Sequence, residues 1–171
     1  MDTHEFWSRD RRFGLLVAGD LMERIVQECV KGDGKETGGI LMGYYTPQHD
    51  CAVVTDVTGP PEDSTRSRAN FYRGVRGLQV WIRRIWREKR HYYLGEWHYH
   101  PGGAAMPSST DDNQMNGIAE DNKTKCPEPV LLLIGGDVSR HWEPRAYVYP
   151  HGKVREELLR QEDGKWKTDQ G

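Results

Sequence analysis

His98 and His100 stand two residues apart, and Pro101, six further residues, Ser108, two more and Asp111 follow; no other part of this 171-residue chain restricts its fold as much. In an extended strand, residues i and i+2 point to the same face. The tract His91–His100 reads as such a strand, and Pro101-Gly102-Gly103 ends it. Asp111 can then reach the two imidazoles only if the chain reverses within a short loop. Ser109, Thr110 and Asp111 can cap a helix that carries Met115, Ile118 and Ala119. Two imidazoles and one carboxylate converging on one point suit a catalytic zinc ion whose fourth position is left for water. The arrangement therefore predicts a strand, a tight return and a helix N-terminus folded together around His98, His100 and Asp111.

The rest of the chain supplies elements to hold that unit. Phe13–Val17 reads as a strand, and Leu21, Met22, Ile25, Val26 and Cys29 recur at helical spacing between Asp20 and about Lys31. Gly32-Asp33-Gly34 stops that helix. Ile40–Tyr45 and Ala52–Val57 read as strands, the second rich in β-branched residues. Gly59–Ser64 is a loop by its chemistry, with two prolines. Leu78, Trp81, Ile82, Ile85 and Trp86 form an apolar helical stripe expected to pack on the core. Val130–Ile134 and Arg145–Tyr149 are short strands, and Val154–Leu159 suggests a helical turn. Residues from Gln161 onward are expected to fray. The order β-α-β-β-α-β-α-β-β predicts an α/β protein of the α+β type: a mixed β-sheet flanked by helices in a single domain. Its expected extent is residues 12–150, with an N-terminal arm at 1–11 and a polar C-terminal tail at 151–171.

Composition narrows the function classes. Lys and Arg number 24 and Asp and Glu 26, for a net charge of −2, so no global field favours nucleic acid or an anionic membrane. Arg76, Arg83, Arg84, Arg87, Lys89 and Arg90 cluster on the second helix, and a solvated face is the expectation there. The three cysteines Cys29, Cys51 and Cys126 are widely spaced and form no CxxC pair, which argues against a disulfide framework or a thiolate zinc site. The first twelve residues contain no apolar run of the secretory type, and the longest apolar stretches are too short to cross a bilayer. A cytoplasmic setting is expected.

A zinc-assisted hydrolysis also needs a base that is not itself a ligand. Glu36 and Glu96 are the candidates. Glu96 shares the ligand face of the strand; Glu36 stands at the mouth of the Gly38–Tyr45 segment, where glycines allow close backbone approach. Spacing alone does not rank them. A developing oxyanion needs a donor, which Ser108 could supply, although helix capping explains that residue equally.

Glu36-Thr37-Gly38-Gly39-Ile40-Leu41-Met42-Gly43, together with His98-Tyr99-His100-Pro101, Ser108 and Asp111, resembles the JAB1/MPN/Mov34 (JAMM) zinc metalloproteases, over roughly residues 12–150. The resemblance implies a JAB/MPN, cytidine-deaminase-like fold. It also implies one catalytic zinc ion on His98, His100 and Asp111, Glu36 as general base and Ser108 steadying the oxyanion. It assigns Glu96 to support of the ligands. Thr58-Gly59-Pro60-Pro61, Tyr93–His98, Gln114-Met115 and Cys126–Pro129 are further similar to the bacterial deconjugating peptidases that accompany CD-NTases in CBASS anti-phage systems. The implied substrate is the C-terminal tail of a protein, expected to be a CD-NTase, joined to a target lysine or amine by a ubiquitin-transfer-like conjugating enzyme. A processing peptidase for a sulfur-carrier or ubiquitin-like precursor and a non-catalytic MPN interaction module are the alternatives. No membrane or nucleic-acid partner is expected.

Overall fold

The computed structural model of the chain describes residues 2–162. The first strand, β1 (Thr3–Trp7), is followed by β2 (Gly14–Ala18), α1 (Gly19–Lys31), β3 (Thr37–Tyr45) and β4 (Cys51–Val57). A small hairpin, β5 (Thr65–Arg66) and β6 (Phe71–Tyr72), precedes α2 (Leu78–Lys89) and β7 (Tyr92–Pro101). Then come α3 (Ser109–Glu120), β8 (Val130–Asp137), β9 (His141–Val148) and β10 (Glu156–Arg160). The fold is the mixed α+β domain expected, with one addition: its sheet closes into a barrel, in the order β1-β10-β9-β8-β7-β3-β4-β2. β2–β4 and β7–β8 are parallel pairs, and the other barrel neighbours run antiparallel.

Closure depends on two segments that the sequence reading set outside the domain. Thr3–Trp7, placed in an arm, pairs with β2 from Thr3↔Ala18 to Trp7↔Gly14 and buries Phe6 and Trp7. Val154–Leu159, read as a helical turn in a polar tail, is instead mostly strand, paired with β9 and with β1. The sequence Glu-Glu-Leu-Leu-Arg has good helix formers, but only Leu158 is buried, and Val154 is 87% exposed. One buried side chain cannot anchor a helix, whereas an extended segment between two open edges satisfies its backbone on both sides. The frayed end expected beyond Gln161 falls, from residue 163, outside the described residues.

Three apolar clusters hold the helices to the barrel. Leu21, Met22, Ile25 and Cys29 of α1 pack with Leu15, Val17, Leu41, Val54, Trp97 and Leu132, among others. Met115 of α3 sits on Leu131, Leu133, Tyr147 and Tyr149. Leu78 and Ile85 of α2 sit on Ile40 and Met42. β8 is thus buried on both faces, its even and odd residues serving different clusters, which explains its unbroken apolar run. The α2 stripe is only partly realised as core: Trp81 and Ile82 are half-buried, and Trp86 is 41% exposed beside Tyr92. On the outer face of α2, Arg84 pairs with Glu88 and Lys89 with Asp56. Cys29, Cys51 and Cys126 are buried free thiols. Among the described residues, no helix is long and apolar enough to cross a membrane.

Candidate metal and active site

β7 carries the centre of the site. It runs antiparallel to β3 and parallel to β8, so it lies inside the sheet with neighbours on both sides. A bulge shifts the β3–β7 register between Leu41 and Met42: Leu41 faces Gly95, Met42 faces Tyr93, and Leu94 is the extra residue. Leu94 and Trp97 consequently serve the same apolar cluster despite their odd spacing. Tyr93 comes onto the face of Glu96, where its hydroxyl lies 3.3 Å from Oε1. Re-aiming of side chains is a common consequence of such a bulge.

Beyond the bulge the alternation is regular, and Glu96, His98 and His100 share one face. Gly38 pairs with His98 and Thr37 with Tyr99, and Glu36, the residue just before β3, lies near enough to His100 for their charges to interact. Gly38 is required by packing: a Cβ there would lie 2.4 Å from the Trp97 carbonyl oxygen and 2.7 Å from His98 Cδ2. Phe71 of the β5–β6 hairpin meets the His98 ring edge-on, with centroids 5.2 Å apart, so the hairpin lies over the site.

The return to Asp111 is built on β8. Gly102 donates to the Gly136 carbonyl and Gly136 donates to that of Gly103, at 2.9 and 2.8 Å. Gly135 permits this crossing, since a Cβ there would stand 2.5 Å from the Ala105 nitrogen. The Tyr147 hydroxyl pins the loop by donating to Ala105 O at 2.8 Å. Ser108 then caps α3 in a reciprocal box. Its Oγ accepts from Asp111 N at 3.1 Å, and its own backbone N–H donates to Asp111 Oδ2 at 2.7 Å.

Asp111, 5% exposed, reaches both histidines: Oδ1 lies 2.7 Å from His98 Nδ1 and Oδ2 3.2 Å from His100 Nε2. Ser108 Oγ also donates to Oδ2 at 2.9 Å. Burial pushes the Asp111 carboxyl up, but its bonds to His100 and His98 outweigh that and hold it well below the usual carboxylate range. Burial likewise pulls the His98 imidazole down, and its bonds to Asp111 and Glu96 lift it to about 9. Desolvation raises Glu36, against the nearby His100 and with the nearby Asp111. All five residues expected at the site therefore come together, with Glu36 half-buried at its rim.

Among the described residues, no group of three His, Cys, Asp or Glu side chains is set out as a cage for a metal ion. Instead His98 and His100 each turn one ring nitrogen to a separate oxygen of Asp111. Their chemistry fits a zinc ion: two imidazoles and one carboxylate in mutual contact, on a rigid strand and a capped helix. Ligation needs neutral rings, so binding a cation there displaces ring protons.

Three neighbours were not singled out in the sequence. Arg73 Nε donates to Glu96 Oε1 at 2.7 Å, while Glu96 Oε2 lies 3.1 Å from His98 Nε2. Both Glu96 oxygens are thus engaged, which suits support of His98 better than a base's role. Tyr93 and Phe71 complete the surroundings. A buried carboxylate implies a cationic partner, but nothing local in the sequence selects Arg73 from so many arginines.

The prokaryotic homologs of the JAB domain match the chain over residues 19–146. The chain belongs to this family. The prokaryotic JAB match takes in Glu36, His98, His100, Ser108 and Asp111, while β1 and β10 lie outside it. A CD-NTase/cGAS isopeptidase of Enterobacter hormaechei is 37% identical over 158 residues, covering 90% of this chain and 87% of that relative. A probable metalloprotease of Sinorhizobium fredii is 28% identical over 131 residues, covering 75% of this chain and 79% of its own length. The solution structure of a protein from Desulfitobacterium hafniense superposes with a TM-score of 0.62 at 19% identity, over 85% of this chain and 88% of that one, and shows a shared fold.

Proposed function

We propose that this prokaryotic JAB protein is a zinc-dependent deconjugating isopeptidase that releases the C-terminus of a CD-NTase from the amine of its conjugated target in a bacterial cytoplasm, as part of anti-phage defence. The observation that carries the reading is the convergence of His98, His100 and Asp111, with Glu36 beside His100 just ahead of the neighbouring strand. The likeness to a CD-NTase/cGAS isopeptidase and to a probable metalloprotease supports the reaction class and the substrate. The same reading carries the finer assignment of the fold as cytidine-deaminase-like.

A zinc ion on His98, His100 and Asp111 would polarise the scissile carbonyl and make a water acidic enough to react near neutral pH. Glu36 takes a proton from that water as its oxygen bonds to the carbonyl carbon, and passes it to the nitrogen as the C–N bond breaks. The products are a free C-terminal carboxyl and a free target amine. Desolvation of Glu36 moves its pKa toward the working range of such a base. Ser108 Oγ donates its proton to Asp111 Oδ2, and were that carboxylate oxygen turned to a metal ion the same proton would be free for an oxyanion. Among the described residues, the β5–β6 hairpin offers strand edges outside the closed barrel, a place for an extended tail to lie within residues 59–72.

The test is release of a reporter fused to the C-terminus of a CD-NTase, with and without chelator. Cleavage is expected to stop with chelator and return with zinc. Glu36→Ala should keep stoichiometric zinc and lose turnover, whereas Asp111→Ala should lose both. Near-normal activity in Glu36→Ala would move the base elsewhere. Cleavage confined to sulfur-carrier or ubiquitin-like precursors would favour a processing peptidase, and zinc binding without cleavage of any fusion an interaction module. Tyr72→Ala, on the exposed side of the hairpin, should raise KM and leave zinc content unchanged; a normal KM would remove the hairpin from substrate binding.

A further inference from the structure

We propose that Arg73 is a positioning residue of this site: acting through Glu96, it holds the His98 imidazole against Asp111. The proposal rests on the reading of His98 as a metal ligand.

Glu96 is 1% exposed, and its two oxygens are divided between two duties. Oε1 accepts from Arg73 Nε at 2.7 Å and from the Tyr93 hydroxyl at 3.3 Å; Oε2 faces His98 Nε2 at 3.1 Å. A carboxylate this deeply buried needs a cation beside it. The Tyr93 hydroxyl supplies a dipole only. Arg73 Nε fixes Oε1, which leaves Oε2 aimed at the ring from the side away from Asp111. Without Arg73, the Glu96 carboxylate can turn away, and the ring loses the anchor opposite Asp111.

Arg73 itself arrives held. It sits just past β6, in the segment between β4 and α2, and its Nη1 donates to the Gly74 carbonyl at 2.9 Å. The Gly74 N–H donates to Ser64 Oγ at 2.9 Å, and those of Val75 and Arg76 donate to the Asp63 carboxylate at 3.1 and 3.0 Å. Its side chain is 19% exposed, at a cleft of about 370 Å³ walled also by Val75, Leu78, Tyr93 and Ile118. The guanidinium thus reaches the interior from a surface segment whose backbone is already tied down. This separates Arg73 from its neighbour Tyr72, which is 51% exposed on the hairpin.

The experiment compares full-length wild type, Arg73→Met, Arg73→Lys, Glu96→Gln and the Arg73→Met/Glu96→Gln double variant. Zinc affinity is measured by competition with a chromophoric chelator, alongside kcat and KM on the reporter fusion and the thermal midpoint of each protein. Arg73→Met is expected to bind zinc about 10- to 100-fold more weakly and to lose kcat, the usual scale for a group that orients a metal ligand, with KM unchanged. Arg73→Lys should recover part of both, because it keeps the charge without the fixed Nε and Nη1 fork. The double variant should be no worse than Glu96→Gln alone, since Arg73 acts through Glu96. Wild-type zinc affinity and kcat in Arg73→Met would overturn the proposal, as would additive losses in the double variant or a lowered midpoint with zinc affinity intact. If Asp111→Ala binds zinc as tightly as wild type, the ligand assignment falls and the proposal with it.

Discussion

At the scale of single residues, the site is decided by what stands close to His98. Its ring is bounded by Asp111, Glu96, the edge of Phe71 and the backbone of Gly38. Gly38→Ala places a methyl group into that last space, where the Trp97 carbonyl and the ring itself lie under 3 Å from the new atom. Overpacking of this kind costs about 1–3 kcal/mol, and the movable neighbours here are the Phe71 ring, 2.6 Å away, and the His98 ring against it. The variant is expected to remain folded, to bind zinc weakly and to lose most of its turnover. Zinc titration beside a thermal melt checks this, and unchanged zinc affinity would show that β3 shifts rather than the ring. The spacing of His98, His100 and Asp111 made these residues visible in the sequence, because local geometry dictates that two of them share a strand face. Arg73 was invisible for the complementary reason: its contact with Glu96 spans 23 residues and follows from how one loop settles.

At the scale of elements, the helix that brings Asp111 is secured from its far side. Asp112 accepts from the Tyr149 hydroxyl at 2.8 Å and from Arg155 Nη1 at 2.6 Å, and His151 Nδ1 lies 2.9 Å from the Ala119 carbonyl. The chain that follows β9 thus grips both ends of α3. Tyr149→Phe removes one bond from a fully buried hydroxyl to a charged acceptor, which should cost about 1–2 kcal/mol, measured by urea unfolding. Loosening α3 should also lower kcat, because Asp111 moves with it. Full activity at reduced stability would mean that the Ser108 box alone positions Asp111. Most strands and helices between residues 13 and 149 were readable from apolar spacing, but the short β5–β6 hairpin was not. β10 was not, because its helix-forming residues yield to pairing with β9 and β1.

At the scale of the whole molecule, closure of the barrel gives the site its rigidity. β7 sits mid-sheet, and every strand of the barrel has two neighbours because β1 bridges β2 and β10. Phe6, fully buried in the main cluster, anchors that bridge. Phe6→Ala should cost about 3–5 kcal/mol, read as a lower urea midpoint, although the residue lies far in sequence from His98–Asp111. A cost below about 1 kcal/mol, a surface substitution's scale, would show that β1 is dispensable to the barrel.

The sequence by itself determined the donor set, the strand–loop–helix unit that presents it, and the helices that cover the sheet. These follow from periodicity and from residue types whose chemistry is local. Only the tertiary structure decided that the sheet closes and that Glu36 lies beside His100. It alone decided that a bulge turns Tyr93 toward Glu96 and that Arg73 completes the chain of contacts to His98. Those outcomes depend on register and on partners distant along the chain, because a buried charge must find its counter-charge and an open edge its neighbouring strand, which no short stretch of sequence contains.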